Sequence, residues 1–269
     1  MNEQVRLDIM NKVREHREML LNQVGIKPRQ LLCVAAYGSM NYGTYIHGIS
    51  DVDTKAIYLP DFDEMAFEKP KSVEYHWYDD SHCELKDIRE MMKMWKKQNI
   101  NFIEILFTDF IMVNPRYADL WEQLIAIREK IAHYNEQYAF KSASCQALNT
   151  LQRMRKKGYD GKTYANVVRI ALFLDRYYGG KDYKTCMYAE DRSKTLYKIR
   201  TNGEEVGTQL VDPTSVEQIL TMYKYNKNFK GENLITKTEM RDIERNFLLT
   251  CTELKWQVEG LRRHRLENK

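Results

Sequence analysis

Two short stretches near the amino terminus combine residue types that handle phosphate groups and divalent cations. The first is Tyr37-Gly-Ser-Met-Asn-Tyr-Gly43, and after a short gap it is followed by Ser50-Asp-Val-Asp53. A glycine lets the backbone approach a ligand closely, and backbone N–H groups at such a bend favour anions. We therefore predict that Gly38 and Ser39 donate to a phosphate group, with Asn41 bracing the loop as part of the same binding site.

Asp51 and Asp53 form the second half of this pattern. The apolar run 31–36 predicts a buried strand that ends at Gly38, and residues 52–59 predict a second strand. In a strand the side chains of Asp51, Asp53 and Lys55 point to one face, with roughly 6.5–7 Å between the Cα atoms of the two acids. Two carboxylates at that spacing suit a pair of Mg²⁺ ions about 3.5–4 Å apart, and Lys55 would offset part of the negative charge.

A Gly-Ser at a strand end followed by Ser-Asp-x-Asp at the next strand resembles the nucleotidyltransferases of the DNA polymerase beta superfamily. Within that superfamily, residues 38–44, 50–53 and 99–107 are similar to the predicted nucleotidyltransferases associated with RNA repair pathways. Residues 158–169 and 196–204 resemble later segments of the same family. The resemblance implies an α+β fold, with a mixed sheet and flanking helices followed by an α-helical domain.

The resemblance also implies cofactors and further site residues. It implies Mg²⁺ or Mn²⁺, an NTP substrate with ATP as the expected nucleotide, and a third carboxylate on a neighbouring strand. We assign that carboxylate to Glu84, with Asp87 and Glu74 as alternatives. Asp87 is also a plausible helix N-cap, with Glu90 three residues later. Lys162 and Arg169 match family positions that would contact the triphosphate or the acceptor, and a structural ion pair is the alternative role for them.

Apolar periodicity and turn residues predict the remaining elements. We expect a catalytic domain over residues 1–112 and a helical domain over residues 113–269. The predicted helices are 3–24, 87–97, 99–110, 120–133, 138–157, 164–178, 216–225 and 237–263, and the predicted strands are 31–36, 52–59, 72–78 and 82–86.

Composition limits the class of protein. The chain has 269 residues, 30% of them charged, and no apolar stretch of the length that spans a membrane. We therefore expect a cytoplasmic protein with no membrane partner, whose five cysteines are free thiols because none forms a Cys-x-x-Cys pair. Clusters of Lys and Arg at 153–157, 224–230 and 262–265 favour an acidic partner over a neutral one.

Three functions agree with these residues. The first is transfer of a nucleoside monophosphate from an NTP to an RNA end, tRNA-like in kind, as the resemblance implies. The second transfers the nucleotide to a protein hydroxyl, as in protein AMPylation by toxin-like or antiphage relatives. The third is a nucleotide-binding or RNA-binding module without activity, which the complete Asp51 and Asp53 pair argues against. The sequence leaves the oligomeric state open.

Overall fold

The structure is a computed structural model that describes residues 1–188, 193–201, 208–225, 236–245 and 248–249. Several sequence predictions fall wholly or partly outside these residues. They are the basic cluster 262–265, Cys251, most of the lysine-rich stretch 224–230, the end of the segment 196–204, and most of the predicted helix 237–263.

The described strands form one mixed sheet of five strands. The strands are β1 Leu31–Ala36, β2 Thr54–Tyr58, β3 Ser72–His76, β4 His82–Asp87 and β5 Ile111–Val113. Their order across the sheet is β3-β4-β2-β1-β5, with β2 and β4 parallel and all other neighbours antiparallel. This architecture confirms the α+β class.

Helices cover both faces of the sheet and make up nearly all of the described residues after β5, which are called the helical half below. The α-helices with described bounds are α1 Glu3–Asn22, α2 Ser39–Tyr42, α3 Phe62–Phe67, α4 Ile88–Lys96, α5 Ile100–Ile103, α6 Ala118–Ala126, α7 Arg128–Ala132, α8 Glu136–Lys157, α9 Gly161–Tyr178, α10 Tyr183–Met187, α11 Ser193–Thr201 and α12 Pro213–Tyr225, and residues 237–245 are helical too. Short 3-10 turns cover Pro28–Gln30, Glu104–Leu106 and Pro115–Tyr117. No helix in the described part of the chain has the length and apolar character needed to cross a membrane.

Two apolar clusters hold these layers together. The smaller one lies between α1 and the sheet and contains Ile9, Val13 and Leu20 beside Val34 of β1. The larger one runs from the opposite face of the sheet through α4 into α8 and α9. Because the larger cluster is continuous and β5 spans position 112, residues on both sides of the expected domain boundary share one core.

Several local predictions need correction. The predicted helix 99–110 is wrong beyond residue 106, because the chain turns there and residues 111–113 pair with β1. The second strand begins at Thr54, so Asp51 and Asp53 precede it. Asp87 does cap α4 by accepting from the Arg89 N–H at 2.8 Å, but the Glu90 side chain pairs with Lys93 at 2.7 Å.

Candidate active site

The backbone brings residues 37–43, here called the glycine loop, next to residues 50–53, here called the aspartate segment. Thr54 pairs with Ala36 in the antiparallel β1–β2 ladder, and the Tyr37 N–H donates to the Asp53 carbonyl at 3.1 Å. The loop that leaves β1 therefore lies against the segment that enters β2. Two stretches separated in sequence therefore meet where β1 ends and β2 begins, as the sequence pattern predicts.

A cavity of about 300 Å³ opens where β1 ends and β2 begins. Its walls come from the glycine loop, the aspartate segment, the start of α9 and the end of α11. The lining residues are Tyr37, Gly38, Ser39, Tyr42, Thr44, Asp51, Asp53, Asn101, Lys162, Thr163, Ala165, Asn166, Arg169 and Arg200. Six of the nine predicted site residues are in this set, which places both acids opposite cationic side chains of the helical half.

Two of these cations reach across the cavity to the aspartate segment. Lys162 Nζ lies 3.2 Å from Asp51 Oδ2. Arg200 donates to Ser50 Oγ at 2.8 Å and to the Thr44 carbonyl at 3.2 Å. Burial lowers the pKa of Arg200, while Asp51 opposes that shift. The helical half thus supplies positive charge to the rim of an acidic site, an arrangement that suits a polyphosphate.

The buried carboxylate of Glu104 holds the glycine loop in place through two hydrogen bonds. The residue is 1% exposed, its Oε1 accepts the Gly38 N–H at 2.8 Å, and its Oε2 accepts the Tyr42 hydroxyl. Burial raises the pKa of the Glu104 carboxyl, while Tyr42, Arg169 and the Gly38 N–H oppose the increase. In this structure the Gly38 N–H is therefore engaged with Glu104, and the predicted phosphate contact would fall to Ser39.

Arg169 extends this anchor into the helical half. Its guanidinium carbon lies 3.6 Å from the centre of the Tyr42 ring, a cation–π contact, although only 4% of the residue is exposed. Asn166, one turn earlier on α9, accepts from Arg169 Nη2 at 2.9 Å. A chain of contacts from Asn166 through Arg169 and Tyr42 to Glu104 therefore ties α9 to the glycine loop.

Lys55 and Glu84 are neighbours, but they do not line the cavity. They stand opposite each other in the parallel β2–β4 ladder, and the Lys55 ammonium donates to the Glu84 carboxylate. Lys86 adds a second contact at 2.8 Å. Partial burial acts to raise the pKa of Glu84, but the two ammonium groups outweigh it and hold the pKa below its ordinary value. Glu84 as a metal ligand stays a prediction, and in this structure its charge is balanced by two lysines.

Asp53 has a partner that the sequence did not indicate. His82 Nδ1 lies 2.8 Å from Asp53 Oδ1, and its Nε2 lies 2.7 Å from the Tyr37 hydroxyl and 3.3 Å from Glu74 Oε1. The Asp53 hydrogen bond raises the pKa of His82 against the effect of burial. Of the alternatives for the third carboxylate, Glu74 is thus linked to Asp53 through His82. Asp87 instead bonds Arg89 at 2.7 Å beneath α4.

Asn41 also lies outside the small cavity. Its side chain donates to the Ala36 carbonyl at 3.2 Å and accepts from Thr108 Oγ1 at 2.7 Å, so it holds the loop in place.

The sequence did not predict Arg200, Asn166 and His82 as site residues. Arg200 and Asn166 lie within segments that resemble the family, and this was the only signal that could have found them.

A larger cavity of about 800 Å³ lies on the other side of the loop. Met40, Asn41, Gly43, Tyr45 and His47 face it, whereas Ser39, Tyr42 and Thr44 face the smaller one. The loop is therefore a wall between the two cavities. Four basic side chains line the larger cavity, those of Arg6, Arg176, Lys181 and Lys184, and the acidic side chain of Asp109 lines it too.

Comparisons with protein-family models, with curated proteins and with solved structures give no significant match. The resemblance to nucleotidyltransferases therefore rests on the residues quoted above and stays a prediction.

Proposed function

We propose that this protein is a metal-dependent nucleotidyltransferase of the DNA polymerase beta type, which moves a nucleoside monophosphate from an NTP to an acceptor hydroxyl. The observation that carries the proposal is the composition of the small cavity. The Gly38-Ser39 loop, the carboxylates of Asp51 and Asp53 and the cations of Lys162 and Arg200 all line it. Its volume, about 300 Å³, is at the lower end of the range for small-molecule sites.

The donor set suits Mg²⁺ or Mn²⁺. Asp51 and Asp53 offer carboxylate oxygens at the mouth of a cavity, and hard cations with few protein ligands fill their remaining positions with substrate phosphates. Bound there, the ions would neutralise charge that develops on the reacting phosphate. Lys162 already contacts Asp51, so it would exchange this contact for one with the triphosphate when a cation takes the carboxylate.

The reaction itself is a displacement at the α-phosphorus. The acceptor hydroxyl oxygen forms a bond to that phosphorus, the bond to the bridging oxygen of the β-phosphate breaks, and pyrophosphate leaves with the bonding electron pair. The hydroxyl proton passes to a base or to solvent. Lys162 and Arg200 would stabilise the charge on the leaving pyrophosphate, while Arg169 and Glu104 hold the loop that positions it.

RNA is the acceptor we favour, and the larger cavity supports this choice better than the cluster at 153–157. That cluster lines neither cavity, and Arg155 forms an ion pair with Glu217. The larger cavity instead places basic side chains directly behind the loop, where a phosphate backbone would find complementary charge.

The direct test supplies each NTP in turn, labelled at the α-phosphate, with Mg²⁺ or Mn²⁺ and either a tRNA pool or a protein extract. Label that enters RNA supports the proposal. Label that enters protein would move the acceptor to a protein hydroxyl and keep the reaction. No transfer in either arm, together with no NTP binding, would overturn the proposal.

A separate experiment tests whether the larger cavity binds RNA. Lys181→Glu should weaken binding of single-stranded RNA, measured by fluorescence anisotropy without NTP, by about 10-fold at low salt. Lys156→Glu reverses the same charge within the cluster at 153–157 and should change binding much less. Equal effects of both variants would reject the larger cavity as the RNA surface.

A further inference from the structure

The hairpin formed by β3 and β4 carries two histidines and a glutamate on one face. His76 and His82 stand directly opposite each other in the antiparallel ladder. Glu74 lies two residues before His76, so its side chain points to the same face. The imidazole ring centres are 5.5 Å apart and inclined by 31°. This places three side chains that can bind a metal at one point of the sheet.

The spacing of the donor atoms suits a tetrahedral cation. Ligand atoms about 2.0–2.1 Å from a zinc ion at tetrahedral angles lie about 3.3–3.4 Å apart. Glu74 Oε1 is 3.3 Å from His82 Nε2 and 3.7 Å from His76 Nε2. All three donor atoms lie within 4.8 Å of one another. Small side-chain rotations would bring them into coordination distance.

A second observation concerns how His82 is held. Its Nδ1 lies 2.8 Å from Asp53 Oδ1, and a carboxylate in that position must accept, so Nδ1 carries the hydrogen. Histidines that ligate metals typically donate their other ring N–H to a carboxylate in this way. The remaining nitrogen, Nε2, then offers its lone pair to the cluster. The Tyr37 hydroxyl now contacts that nitrogen at 2.7 Å, so a cation would replace this hydrogen bond.

We propose that Glu74, His76 and His82 form a binding site for a divalent transition-metal cation of the zinc class. Two imidazoles and one carboxylate are a ligand set that zinc accepts with a fourth position left open. Imidazole donors also select against Mg²⁺, so this site is distinct in chemistry from the Asp51 and Asp53 pair. The side chain of His76 is 67% exposed, so a cation can enter from solvent. The proposal does not depend on nucleotidyl transfer.

The test is titration of the full chain with Zn²⁺ by calorimetry, in a buffer that contains millimolar Mg²⁺ to occupy oxygen-only sites. One Zn²⁺ per chain should bind. His76→Ala and Glu74→Gln, both at exposed positions, should each weaken this binding by at least about 10-fold. Circular dichroism should show that both variants keep the fold.

His47→Ala is the matched control, because His47 is also exposed and also faces a carboxylate, that of Asp8 at 3.9 Å. It should bind Zn²⁺ as the wild type does. Co²⁺ in place of Zn²⁺ should give the visible absorption of a tetrahedral ion without a thiolate charge-transfer band. No stoichiometric binding, unchanged binding by His76→Ala, or a thiolate band would each overturn the proposal.

Discussion

Replacing Glu104 tests whether this buried carboxylate anchors the glycine loop. Glu104→Ala would leave the Gly38 N–H and the Tyr42 hydroxyl without their acceptor. Each unsatisfied buried donor costs about 1–3 kcal/mol, so we expect a loss of about 2–6 kcal/mol in the free energy of unfolding. Urea unfolding at neutral pH measures it, and NTP binding should weaken in the same variant because the loop loses its support.

Glu104→Gln is the matched control because it keeps the shape and one acceptor oxygen. Burial raises the pKa of Glu104 in the folded state, so the unfolded chain releases this proton at lower pH than the folded chain does. The stability of the wild type should therefore fall as pH rises above the unfolded value near 4.5, and the glutamine variant should lack this component. A loss under about 1 kcal/mol for Glu104→Ala, or equal losses for both variants, would refute the anchoring role.

Three further changes test the packing around the site. Lys55→Ala should destabilise by about 2 kcal/mol in urea unfolding, because it removes one of the two ammonium groups that balance Glu84 and leaves only Lys86. Burial lowers the pKa of His16 to about 4, so stability should hold above pH ~6.5 and fall by about 3 kcal/mol as pH drops towards 4, which unfolding measured across that range detects. Gly161→Ala should destabilise by about 1–3 kcal/mol in the same urea assay, because its Cβ would lie 2.4 Å from the Ile199 carbonyl oxygen.

Each of these changes has a control in the chain. Lys93→Ala removes an exposed pair with Glu90 and should cost under about 0.5 kcal/mol. His16→Gln should reduce the acid sensitivity. Gly179→Ala meets only ordinary contacts of 3.4 Å or more and should be nearly neutral. A loss of stability in Lys93→Ala or Gly179→Ala as large as that in its test variant would contradict the explanation of that variant. Unchanged acid sensitivity in His16→Gln would contradict the role of His16.

The elements with a strong local signal were predictable. The apolar run 31–36 is β1 to the residue, because this uninterrupted buried strand ends just before Gly38, which takes a φ of +97°. Helices α1 and α8 also match their predicted ranges closely. The helix expected over 99–110 fails at its end, because pairing of residues 111–113 with β1 is a long-range contact that no local pattern reveals.

The residues of the candidate site were largely predictable from the sequence, but the contacts between them were not. Asp51, Asp53, Lys162 and Arg169 line one cavity, as the sequence pattern and the family resemblance together suggest. The hydrogen-bond partners of the residues in this candidate site were not predicted. The Gly38 N–H finds its acceptor 66 residues later along the chain, and such pairings depend on tertiary packing.

The most direct measurement of the central claim is transfer of α-labelled nucleotide by Asp51→Asn and Asp53→Asn in the presence of Mg²⁺. Each variant should lose transfer by more than about 100-fold while circular dichroism shows an unchanged fold, because each weakens a carboxylate donor for the cation. Asp119→Asn, which alters an exposed acid that lines neither cavity, should keep wild-type transfer. Undiminished transfer by either Asp51→Asn or Asp53→Asn would contradict the assignment of this cavity as a metal-dependent nucleotidyltransferase site.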